Sequence, residues 1–73
     1  MDQGDLQKLR RIAGLTQFAV SKASGIDRTR LSLAECGHVQ LSNEEYATVK
    51  RTLVGEIQRR TLEAQNILLI HRR

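Results

Sequence analysis

The 73-residue chain has no proline and no tryptophan, and only one cysteine, one phenylalanine and one tyrosine. Each scarcity closes a route. With no proline, three per cent aromatic residues and an abundance of Leu, Ala, Arg, Gln and Glu, the composition favours helices over strands. Cys36 alone makes neither an intramolecular disulfide nor a cysteine-rich zinc site. No stretch approaches the roughly 20 apolar residues of a membrane span. The opening MDQGDLQKL is polar and acidic rather than signal-like, so a cytoplasmic protein that does not enter a membrane is expected. The length allows a single domain with a small helical core and no deep cleft between subdomains. Paired catalytic carboxylates, a Cys–His arrangement, a phosphate loop and metal-ligand spacing are all missing. Glu44 and Glu45 sit at a helix start, and Cys36 has no base beside it. Neither an enzyme nor a cofactor is expected.

What is present is positive charge and helical punctuation. A net charge of +4 attracts polyanions, either nucleic acid or an acidic membrane face. Leu6, Leu9 and Ile12, interleaved with Lys8, Arg10 and Arg11, read as a short amphipathic helix from Asp5 to Ala13 that Gly14 ends. Thr16 is placed as the N-cap of a second helix, Gln17 to Ser24, closed by Gly25 in a left-handed conformation. Asp27 is the next N-cap, ahead of a third helix from Arg28 to Cys36, with Gly37 beyond it. Ser42 and Glu45 have the spacing of a capping box for a fourth helix that runs to about Leu53. Gly55 then marks either a kink or the start of a fifth helix. This last segment carries Ile57, Leu62, Ala64, Ile67, Leu68, Leu69 and Ile70 and is expected to be covered by something.

The stretch GLTQFAVSKASGIDRTRLSLAECG, from Gly14 to Gly37, resembles the helix-turn-helix of the phage repressor and Cro family, also called the XRE family. The resemblance rests on Leu15-Thr16-Gln17, Val20, Ser21, Gly25-Ile26, Leu31, Glu35 and Gly37, and extends over about residues 5 to 54. It implies an all-α, four- to five-helix, lambda-repressor-like helix-turn-helix domain over residues 3–54, followed by a helical segment over 55–73. Ser21 is expected to be small where two helices cross, and Ile26 and Leu31 to plug the angle between them. With Ile26, Leu31 and Ala34 pointing inward, Arg28, Thr29, Ser32 and Leu33 face outward on the helix at about 28–36. Such a face enters the B-DNA major groove, where Arg28 is expected to donate two hydrogen bonds to guanine while Thr29, Ser32 and Leu33 meet other base edges or a thymine methyl. Family likeness places Gln17 on a phosphate, with Arg30, His38 and Gln40 as further backbone contacts.

Three residues depart from the family pattern. Asp27 brings negative charge near phosphates, and its carboxylate is expected to be taken up by the helix N-terminus. Phe18 stands at a position that is usually polar and exposed, which suggests either a shifted core or contact with another part of the chain, with burial against the C-terminal segment the favoured reading. Leu33 and Ala34 make the third helix unusually apolar.

The resemblance implies a homodimeric, sequence-specific regulator of transcription acting on double-stranded DNA as a repressor, because two recognition helices about 34 Å apart read two half-sites. Ile57, Leu62, Leu68 and Leu69 are the expected dimer interface, with an intramolecular lid on the core as the competing use of this segment. Arg59-Arg60 and Arg72-Arg73 add phosphate attraction or merely face solvent. The segment IDRTRLS is also similar to the controller proteins of restriction-modification systems. The alternative function is a protein-interaction module of the same fold, such as an antitoxin whose C-terminal segment covers a toxin.

Overall fold

The computed structural model describes residues 3–70, with the side chain of Ile70 left aside, and among them every regular element is a helix. Helix α1 spans Asp5–Ala13, α2 Gln17–Ser24, α3 Arg28–Glu35 and α4 Asn43–Ile70. The Arg72–Arg73 pair lies outside the described residues.

The ends of these helices follow from local chemistry. Gly14 takes φ 70° at the end of α1, and its own N–H and that of Leu15 close back onto the carbonyls of Arg11 and Arg10. The Thr16 hydroxyl accepts from the Ala19 N–H at 3.0 Å, a cap worth about 1 kcal/mol to α2. Gly25 ends α2 with φ 78°. Asp27 then accepts from the N–H groups of Thr29 and Arg30, so its charge is absorbed by the start of α3, as expected. The capping box at α4 also forms: the Glu45 N–H donates to the Ser42 hydroxyl, and the Ser42 N–H donates to the Glu45 carboxylate.

Helix α4 runs past the end expected near Leu53, which decides against a separate fifth helix. It does not stop near Leu53, and Gly55 is neither a boundary nor a left-handed stop, because 28 residues run as one helix. A mid-helix glycine costs about 1 kcal/mol relative to alanine, and no capping group follows to exploit the weakness. The division expected between residues 54 and 55 therefore falls inside a continuous helix.

The core is made of Leu6 and Ala13 from α1, Val20 from α2, Leu31 and Ala34 from α3, Leu41 from the loop, and Val49 and Leu53 from α4. Leu9, Leu15, Ile26, Tyr46 and Ile57 pack on its edge. On α1 the expected apolar face is corrected at one position, since Ile12 is 66% exposed. Steps of three residues fall about 60° short of a full turn each time, so Ile12 has rotated away while Ala13 has returned to the line of Leu6. Ser21 does more than stay small: its hydroxyl donates to the Ile26 carbonyl at 2.6 Å and ties α2 to the turn before α3.

Phe18 is also corrected. It is 56% exposed, with the Lys22 ammonium 5.1 Å from its ring centre, and is not buried against the C-terminal segment. It falls on the side of α2 turned away from Val20, where the described residues leave more than half of it open to solvent. Two further ties hold α1 and the chain before it in place. The Tyr46 hydroxyl donates to Asp5, which with burial holds the phenol above its ordinary pKa, and the Gln3 amide exchanges two hydrogen bonds with the backbone of Leu41.

Past Arg60, α4 leaves the other helices, and every residue from 61 to 69 is exposed. The molecule measures 50 × 22 × 18 Å as a result. Among the described residues, no helix is long and apolar enough to cross a membrane.

Candidate nucleic-acid interface

The outward face of α3 is set by the core beneath it. Leu31 and Ala34 are buried, which turns Arg28, Thr29, Ser32 and Leu33 the other way. These four residues and Gln17, the first residue of α2, line one open depression of about 270 Å³. The four residues expected to meet base edges therefore lie together, with Gln17 on the same rim. Leu33 is 39% exposed and supplies the apolar patch in an otherwise polar surface.

Beneath Gln17 lies a buried polar network that sequence reasoning missed. The Glu35 side chain is 1% exposed and accepts from Arg10 Nε at 2.8 Å and Arg10 Nη2 at 3.0 Å. Arg10 Nη1 donates to the Leu15 carbonyl, and Gln17 Nε2 donates to Glu35 Oε1 at 3.1 Å. The hydrogen bonds to Glu35 hold the Arg10 guanidinium above its ordinary pKa, against the opposing effect of burial. One carboxylate thus joins α1, α3 and the start of α2. The available signal was positional: Glu35 is one helical turn from Leu31, on the core side of α3, where a charged residue needs a buried partner.

The expected phosphate contacts divide. Gln17 is on the rim, but its amide nitrogen is engaged by Glu35. Arg30 is drawn into a paired bond with Glu45, Nε to Oε2 at 2.8 Å and Nη2 to Oε1 at 2.8 Å, so two of its three nitrogens face α4. This pairing, together with the Ser42 N–H, holds the Glu45 carboxyl down to about 2. The capping role of Glu45 was legible from spacing, whereas its partner Arg30, fifteen positions earlier, was not. His38 and Gln40 are exposed on the loop after α3.

Of the expected dimer contacts, Ile57 is half-buried and packs against the chain's own core. Leu62, Leu68 and Leu69 are 61%, 68% and 64% exposed. At about 100° per residue they do not share one face. Ala64, Ile67 and Leu68 continue the line of Val49, Leu53 and Ile57, while Leu62 and Leu69 stand roughly 100–120° from Leu68. Beside them, Glu56 pairs with Arg59 at 2.7 Å and Arg60 at 3.2 Å, which lowers the Glu56 pKa.

Among the described residues, no group of three or more His, Cys, Asp or Glu could hold a metal ion. No protein-family model, no curated protein and no solved structure matches the chain.

Proposed function

We propose that this chain is a sequence-specific, double-stranded DNA-binding regulator of the phage repressor and Cro type, with α2 and α3 as its helix-turn-helix and α3 as the helix that enters the major groove. The observation that carries the reading is the depression shared by Arg28, Thr29, Ser32, Leu33 and Gln17. These residues are the ones the sequence resemblance nominated, and a helix presenting an arginine at its N-terminal end suits guanine O6 and N7. The positive net charge supports attraction to the duplex. His38 and Gln40 flank the same helix and serve as backbone contacts, with Arg30 available through the remaining arm of its guanidinium. The protein acts in the cytoplasm as a repressor-like homodimer, without a cofactor and without catalysis.

The dimer is formed through the projecting end of α4, by Leu62, Leu68 and Leu69 with Ile67. A helix with two apolar faces suits a neighbour that touches it on more than one side. That same end favours a second reading, an antitoxin-like module whose α4 covers a protein partner. Exposure of Leu62, Ile67, Leu68 and Leu69 is the observation behind it.

A gel shift on random genomic fragments at two salt concentrations, with recovery of the bound fraction, tests the proposal. Enrichment of one palindromic sequence, lost with Arg28→Ala, is the expected result. Equal, salt-sensitive binding to every fragment would reduce the activity to nonspecific attraction. Absence of binding would turn the reading to the protein partner.

A further inference from the structure

We infer that Leu33 is a specificity-determining residue that selects a pyrimidine carrying a C5 methyl group, thymine or 5-methylcytosine. The inference rests on the DNA-binding reading above and deepens it by naming the group that one side chain recognises. Its basis is a contrast within a single depression. Gln17, Arg28, Thr29 and Ser32 line it with polar groups, and Leu33 is its one apolar member. Among the described residues the side chains of Arg28, Thr29 and Ser32 make no hydrogen bond or ion pair, so they are left for an occupant rich in acceptors. Leu33 is not part of the core beneath them: Leu31 and Ala34 are buried, whereas Leu33 keeps 39% of its surface open.

A leucine has no donor or acceptor to give a phosphate oxygen or a polar base edge, and setting it against one strips that group of water without a replacement bond. Its complement has to be apolar. In the major groove the apolar projection is the C5 methyl of thymine, and 5-methylcytosine presents the same methyl from the same ring position. Uracil and unmodified cytosine lack it. The place of the base follows from helix geometry. Leu33 comes five residues after Arg28. With α3 lying along the groove that is an advance of about 7.5 Å, or roughly two steps of about 3.4 Å along a DNA strand. The guanine read by Arg28 and the methylated pyrimidine read by Leu33 therefore lie about two base pairs apart. A cytosine in that place gains affinity on methylation, because the contact depends on the methyl and not on the groups that pair the base.

The test starts from the palindrome that the full chain selects out of random duplexes and replaces each thymine in turn by deoxyuridine, which removes the methyl and leaves the pairing intact. One thymine, about two base pairs from the guanine whose preference disappears with Arg28→Ala, is expected to respond. Deoxyuridine there should weaken binding about fourfold, the worth of one buried methyl, and roughly fifteenfold when both half-sites are substituted. A cytosine–guanine pair built into the same place should bind about fourfold more tightly with 5-methylcytosine than with cytosine. These comparisons need only the wild-type chain. Leu33→Ala, checked for folding by thermal melting, should bind thymine and uracil alike at that place while keeping the guanine. If wild type is indifferent to every methyl, or if its sensitivity survives unchanged in Leu33→Ala, the inference is overturned. If wild type enriches no sequence at all, the DNA-binding reading fails and takes the inference with it.

Discussion

Helix α4 contains two regions under opposite conditions. From Tyr46 to Ile57 it is the spine of the core, with Val49 and Leu53 buried and the helix packed chiefly against α1 and α2. From residue 61 to 69 it projects with every side chain exposed, although the second region is richer in leucine and isoleucine at its end than the first. Apolar composition therefore does not decide burial. The core half sits where three short helices converge, and the projecting half has outrun them. What holds the second half is the helix itself, through continuous backbone bonding and the ion pairs of Glu56 with Arg59 and Arg60.

The largest effect that would test this contrast is expected at Glu35. Glu35→Ala leaves Arg10 and the Gln17 amide without their shared acceptor beneath the surface, and a loss of about 3–5 kcal/mol is expected in urea unfolding. A loss below about 1 kcal/mol would mean the network behaves like a surface pair. Next comes Leu53→Ala, which opens a cavity under α4 and is expected to cost about 2–5 kcal/mol in the same measurement.

Acid should act through Glu45. Its folded pKa of about 2 lies below the ordinary value of 4.5, so its contribution is complete above about 4.5 and is lost as pH falls from there toward 2. Glu56 is shifted in the same direction, which extends the acid sensitivity to the middle of α4. Unfolding followed between pH 5 and pH 2.5 should show falling stability, and Arg30→Gln should flatten part of that slope by returning Glu45 toward its ordinary pKa. An unchanged slope would show that the Arg30 pair does not persist in solution.

The smallest effect is expected at the end of α4. In the monomer, Leu68→Ala with Leu69→Ala should leave stability within about 0.5 kcal/mol, because neither side chain is covered. Unfolding at two protein concentrations sharpens the comparison. If wild type gains stability with concentration and the double variant does not, a second copy covers this region.

Much of this was legible along the chain because helix punctuation is local. Gly14, Thr16, Gly25, Asp27 and the Ser42–Glu45 pair act on backbone groups within a few residues, and each stands where its chemistry placed it. The outward residues of α3 were legible for a related reason, since the inward position of Leu31 and Ala34 dictates which way Arg28, Thr29, Ser32 and Leu33 turn. Gly55 left the choice between a kink and a boundary open along the chain, because its propensity is a small local penalty set against a long cooperative helix.

Other features depended on elements distant in sequence. The partnership of Arg10 with Glu35, that of Arg30 with Glu45, the exposure of Phe18 and the placing of Ile57 in the core all required knowing which helices converge. The sequence by itself determined the first three helices, the start of the fourth, the caps and the outward face of α3, because those are governed by interactions within one or two turns. Only the tertiary structure decided which charges are buried and paired, which side chain engages the Gln17 amide and where α4 loses its neighbours, because those depend on contacts between segments that composition and period do not encode.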